Sequence, residues 1–158
     1  MAYLNSSEGR LAPVLLSVLR IVAALLFMQH GAQKFFGYPP PPPSPTPPPA
    51  VQQQQPAPKP AGMPPLILVA AILELGGGLL LLLGLFTRPT AFILSGMMAV
   101  AYFMAHGLKA LWPVTNGGEL AVLYCFVFLF LAAAGGGLWS VDACWRRGGR
   151  PDAVARPY

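Results

Sequence analysis

The chain has 158 residues, of which 55% are hydrophobic and only 9% charged, and it carries a formal net charge of +5. That composition excludes an ordinary soluble domain, and the length suits one small helical bundle, so residues 1–158 read as a single integral membrane domain whose first partner is the lipid bilayer. The positive charge does not indicate nucleic acid: four of the ten basic residues, Arg146, Arg147, Arg150 and Arg156, crowd into the tail at 143–158, where they suit a membrane-flanking segment.

Taken in chain order, the first ten residues are short and polar. The apolar run that follows outlasts a signal peptide and shows no small-residue cleavage pattern, which predicts a retained anchor. The first span covers residues 11–36, is interrupted by Arg20, and ends in Gln29, His30, Gln33 and Lys34. Residues 38–65 hold fourteen of the nineteen prolines, with Ser, Thr and a Gln run between them, so neither a helix nor a strand ladder forms there. An extended outer loop is expected, acting as a spacer or as a ligand for a groove in another protein.

The second span, residues 66–86, is apolar except for Glu74, and at 1.5 Å per residue it reaches about 32 Å, enough to cross the hydrocarbon core. A carboxylate inside such a helix costs about 2.5–3.5 kcal/mol on insertion scales and demands a partner. Gly77 and Gly78 follow it three and four positions on, marking a face of close helix contact. Thr87-Arg88-Pro89 predicts a tight turn into a third span at 90–111. Pro113 and Asn116-Gly117-Gly118 separate that from a fourth at 119–138, and Gly135-Gly136-Gly137 with Trp139-Ser140-Val141-Asp142 lead to the tail. The expected fold is all-α, an integral membrane four-helix bundle with a Pro-rich loop between its first and second spans. Of the Lys and Arg near span ends, six (Arg10, Arg88 and the four tail arginines) fall on one side and three (Lys34, Lys59, Lys109) on the other, which predicts a multi-pass protein of the cell inner membrane with both termini cytoplasmic.

Counted from the span ends, Arg20 lies about 14 Å deep and Glu74 about 18 Å, so the two are expected to form a buried charge pair, either to register the helices or to floor a small-molecule or proton site. Towards the outer face His30, Gln33, Lys34, His106, Lys109 and Glu119 fall at similar depth. A polar cavity between the first, third and fourth spans, lined by His30, Gln33, Lys34, His106 and Glu119, is the candidate site, with histidine suited to relaying a proton. Glu119 also stands three residues after Asn116, the spacing of a capping box. Two histidines without a close acid or cysteine do not predict a metal site, and Met28, Met97, Met98 and Met104 read as gap-fillers of an apolar core. Cys125 and Cys144, about 28 Å apart along a helix, predict no disulfide.

With Arg20, Gly31-x-x-Lys34-x-x-Gly37, Glu74 before Gly76-Gly77-Gly78, Gly84-x-x-Thr87-Arg88, Asn116-Gly117-Gly118-Glu119 and Gly135-x-Gly137-x-x-Ser140-x-Asp142 in place, the chain resembles the DoxX family of small four-span membrane proteins over nearly all of residues 11–142. The resemblance implies an inner-membrane bundle and a role in redox metabolism, since the family takes its name from a subunit of a thiosulfate:quinone oxidoreductase. It suggests a quinone as ligand and other membrane or redox subunits as partners. The Pro-rich insert departs from the family pattern.

Two functional readings follow. In one, the chain is a component of a quinone- or sulfur-linked redox system, with Glu74 and His106 handling protons and Arg20 and Lys34 holding negative charge. No cysteine pair, haem motif or flavin fingerprint occurs, so an electron carrier must come as a bound small molecule or within a partner. In the other, it is a non-catalytic scaffold or small-solute carrier subunit whose buried charges serve structure. The sequence leaves open whether the protein is an enzyme.

Overall fold

Inside a bilayer the backbone amides have no partner but their own chain, so long apolar stretches become helices. In the computed structural model, which describes residues 8–40, 62–107, 110 and 112–148, the first of them is α1, Glu8–Phe36, twenty-nine residues and about 43 Å long. Helix α2 is Pro65–Leu83 and α3 is Thr87–Gly107. Each contains one wide π-helical turn, Leu73–Gly77 in α2 and Phe103–Gly107 in α3. A single turn, α4 (Pro113–Asn116), precedes α5, Glu119–Ala134, and the short α6, Val141–Gly148, follows. The first three long helices have the length and apolarity of membrane spans, and α5 is a shorter apolar helix of the same kind. The protein is an all-α membrane bundle. Residues 41–61, most of the Pro-rich loop, lie outside the described residues, as do Lys109 and the tail beyond residue 148.

The span boundaries shift from the sequence expectation: α1 begins at Glu8 rather than residue 11, α3 ends at Gly107 rather than residue 111, and two further shifts reshape the turns. The hairpin between α2 and α3 turns at Gly84–Phe86, with Gly84 at φ 69° and Phe86 at φ 48°, so Arg88 and Pro89 sit in the first turn of α3 rather than in the loop. Helix α5 stops at Ala134, four residues early, where Gly135 leaves helical geometry at φ 90°.

Small residues set the helix packing, as expected where backbones must approach closely. A Cβ on Gly31 of α1 would come within 3.0 Å of Glu74 and Leu75, and one on Gly78 of α2 would overlap Met28. As α1 advances from Met28 to Gly31, α2 therefore retreats from Gly78 to Leu75, and the two run antiparallel. Gly77 faces Leu94 of α3, where an added Cβ would lie 2.8 Å from the leucine side chain. The contact face expected from Gly77 and Gly78 thus serves two neighbours. Ser95 of α3 donates to the Cys125 carbonyl of α5 at 2.8 Å. Ala24, Phe27, Leu81, Leu94, Phe128 and Leu131 close the core, with Phe27 edge-on to Phe128 at 4.8 Å. Outward faces are as apolar as the core: Val22, Leu26, Ile93 and Phe126 are all exposed, as lipid contact requires.

Candidate functional site

The strongest polar feature inside the helices is the contact of Glu74 with Lys34. Glu74 is 5% exposed, and its Oε1 accepts a hydrogen bond from Lys34 Nζ at 2.5 Å. The second oxygen, Oε2, is buried and has no partner among the described residues. Both residues are positioned by glycine contacts. Gly31, one turn before Lys34, lets α1 lie against Glu74 and Leu75, while the π turn at Leu73–Gly77 adds a residue to the helical turn that carries Glu74. Such wide turns interrupt the regular amide ladder and are found often where a helix carries function.

The expected Arg20–Glu74 pair does not form. Arg20 is fully buried, but its Nη1 donates to the carbonyls of Leu81 and Leu82 at 2.5 and 3.0 Å and its Nη2 to the carbonyl of Trp139 at 2.6 Å. The reason is register. Gly31 fixes α1 at the level of Glu74, and Arg20, eleven residues earlier and so about 16 Å along the helix, arrives at the end of α2 instead. There the carbonyls of the last turn of α2 have run out of regular helical donors, Leu81 accepting no amide but that of Gly84 in the turn, at 3.0 Å, and a cation is favoured by the helix dipole.

Asp142 does the complementary work at the start of α3. Its Oδ1 accepts from the Phe86 amide at 2.9 Å and its Oδ2 from the Thr87 amide at 2.8 Å, while its own amide donates to the Gly84 carbonyl at 3.0 Å. Burial alone pushes the Asp142 carboxyl up, but these amides, with Arg146 nearby, hold it below the ordinary 3.8. Ser17 joins the same node: its Oγ accepts from the Trp139 amide at 3.1 Å. Gly137, whose Cβ would overlap that Ser17 hydroxyl, must be glycine for the segment after α5 to reach α1. The capping role of Asp142 is invisible locally, because the cap lies 55 residues from the helix it closes.

The outer-side candidates are spread over separate surroundings. His30, half-buried, lies edge-on to Tyr124 of α5 at 6.3 Å, close to Phe27. Gln33 donates to the Pro39 carbonyl at 3.0 Å and so belongs to the exit of α1. His106 stacks on Tyr102 at 6.4 Å, and its Nδ1 is 3.0 Å from the Asn116 carbonyl. A carbonyl only accepts, so Nδ1 carries the hydrogen of that bond. Glu119 is exposed, in an open groove with Leu120, Leu123 and Phe126. The capping box expected at Glu119 is absent: Asn116 Oδ1 accepts from the Gly118 amide at 2.8 Å, and Gly118 itself begins α5. The tight glycine turn brings the acceptor closer to Gly118 than to the amide three residues on. Of the seven residues singled out from the sequence, only Lys34 and Glu74 are joined to each other by a hydrogen bond or ring contact among the described residues. Among those residues, no three His, Cys, Asp or Glu side chains lie close enough to hold a metal ion, and Cys125 and Cys144 are free thiols.

These features define a multi-pass helical membrane protein with a buried acid–lysine pair in its first two spans. The DoxX family model matches residues 15–107, well over half the chain, and takes in Arg20, His30, Gln33, Lys34, Glu74 and His106. A relative from Haemophilus influenzae, described as an uncharacterized protein, is 40% identical over 133 residues, covering 82% of this chain and 90% of its own. The chain belongs to the DoxX family. No solved structure matches it significantly.

Proposed function

We propose that the protein is the membrane component of a quinone-linked redox system, and that the Glu74–Lys34 pair is where a hydroxylated head group meets a proton acceptor. What supports this reading is the free Glu74 Oε2, a buried carboxylate oxygen with no hydrogen-bond partner among the described residues. Leaving such an oxygen dry is costly, and a quinol hydroxyl would satisfy it while Oε1 keeps its bond to Lys34. Electrons would enter or leave through a partner subunit, since the chain supplies no carrier motif of its own. In this reading the chain acts as one membrane domain of the cell inner membrane, with both termini cytoplasmic.

Titration of the purified protein in nanodiscs with a short-chain quinol tests it. Glu74→Gln should weaken binding about tenfold or more, the loss of one hydrogen bond to a charged acceptor, with helix content unchanged. Equal binding by both proteins sinks the reading.

The second reading, a non-catalytic scaffold or small-solute carrier subunit, is favoured by a different observation. Arg20 and Asp142, also bonded within the bundle, are committed to helix ends: both Nη atoms of Arg20 donate to carbonyls and both oxygens of Asp142 accept from amides, leaving only the Arg20 Nε without a partner among the described residues.

A further inference from the structure

We propose that a groove at the opposite end of the bundle from Lys34, between the start of α3 and α6, binds the phosphate of an anionic phospholipid. The groove has a volume of about 310 Å³, and Phe86, Arg88, Gly135, Asp142, Trp145 and Arg146 line it. Its place in the fold fixes its depth. Thr87 is the first residue of α3 and Ala134 the last of α5, so the groove opens where both apolar helices end, with exposed Phe92 and Ile93 one turn further in. That is the level of lipid head groups.

Three observations select the occupant. First, charge: Arg88 and Arg146 are both exposed, and neither has a carboxylate within ion-pair distance among the described residues. Asp142 is the acid of the groove, and both its oxygens are already taken by backbone amides, so the walls carry one positive charge in excess. A single phosphodiester neutralises it. Second, geometry: the Arg88 guanidinium lies over Gly135 in the groove wall, where an added Cβ would sit 3.5 Å from its Nε and 3.9 Å from its Nη2, and the glycine leaves room beside a planar group suited to paired bonds with phosphate oxygens. Third, the apolar wall: Phe86 and Trp145 meet edge-on at 6.1 Å and are each more than half exposed, as are Trp139 and the lipid faces below. Aromatic side chains at this depth accept glycerol and upper acyl carbons. A choline or ethanolamine head group would bring its own cation against the two arginines, so a lipid of net negative charge is preferred. The inference does not depend on the redox reading.

Native mass spectrometry of the full-length protein, purified with equal amounts of phosphatidylglycerol and phosphatidylcholine, measures the preference directly. The wild type should retain phosphatidylglycerol in about tenfold excess. Arg88→Gln/Arg146→Gln should lose that excess, and Arg88→Lys/Arg146→Lys should keep most of it. An unchanged preference in the glutamine variant overturns the proposal, as does displacement of the lipid by millimolar inorganic phosphate, which would mark a site for a free anion. If the double variant fails to fold, Arg146→Gln alone decides: Arg146 is an exposed side chain of α6, and a preference equal to the wild type's overturns the proposal.

Discussion

Lys34 and Glu74 lie forty residues apart in the chain and 2.5 Å apart in space, across the antiparallel contact of the first two spans. The lysine is 35% exposed at its side chain and the glutamate 7%, so the pair has one wet end and one dry end. Removing the lysine leaves a charge where water cannot reach it. Removing both members leaves only an apolar gap.

Lys34→Met should therefore lower unfolding free energy by about 3 kcal/mol, and Lys34→Met/Glu74→Met should recover most of that loss. Denaturant titration in detergent, followed by circular dichroism, measures both. A double variant no more stable than Lys34→Met would show that the glutamate charge is not the source of the loss.

Arg20 and Glu74 should behave independently. Arg20→Gln and Glu74→Gln have separate partners, so their losses should add within about 0.5 kcal/mol in the double variant. A coupling energy above about 1 kcal/mol would restore the direct pair that register rules out. Arg20→Lys should itself cost about 2 kcal/mol, since one ammonium cannot keep the planar fork's reach to carbonyls of two separate segments.

Asp142 gives the fold a dependence on acid. Its folded pKa lies below the ordinary 3.8, so its contribution is complete above about pH 4 and is lost as pH falls through the folded value. The melting temperature of the wild type should drop below pH 4, while Asp142→Asn should start lower and change less over the same range. Parallel curves for the two proteins would rule out Asp142 as the titrating group.

Gly84 is held at φ 69°, and a Cβ there would overlap the Arg20 guanidinium and Ser140. Gly84→Ala combines a left-handed backbone with overpacking and should cost about 2–4 kcal/mol, read as a lower melting temperature. Gly76→Ala, with nothing within 4 Å of the new methyl, is the control within the preceding helix α2 and should be near neutral or slightly stabilising.

The helices were legible because their apolar runs are long and Glu74 interrupts only one of them. The partner of Glu74 was not, because depth counted from span ends carries errors of several residues, and here the hairpin turned earlier than Thr87-Arg88-Pro89 suggested. A better ruler was present: Gly31 and Gly78 mark the contact face between the first two spans, and in an antiparallel pair Lys34, one turn after Gly31, comes within a long side chain's reach of Glu74, one turn before Gly78. No comparable signal existed for Asp142, whose acceptor role depends on a chain reversal far from the helix it caps. The outer polar residues share a depth, but depth says nothing about azimuth, and His30, His106 and Glu119 face different neighbours.

The acceptors of Arg20 also impose an order in time. The carbonyl of Trp139 is supplied 119 residues after the arginine itself, so a nascent chain holds an incompletely satisfied cation among its spans until the segment after α5 has left the ribosome. Early spans can insert and pair, yet maturation waits for the segment after α5 to dock. Chains truncated after Ala134 should accordingly reach the membrane and then be cleared by its quality-control proteases, making the closing segment a built-in proofreading step in the protein's biogenesis.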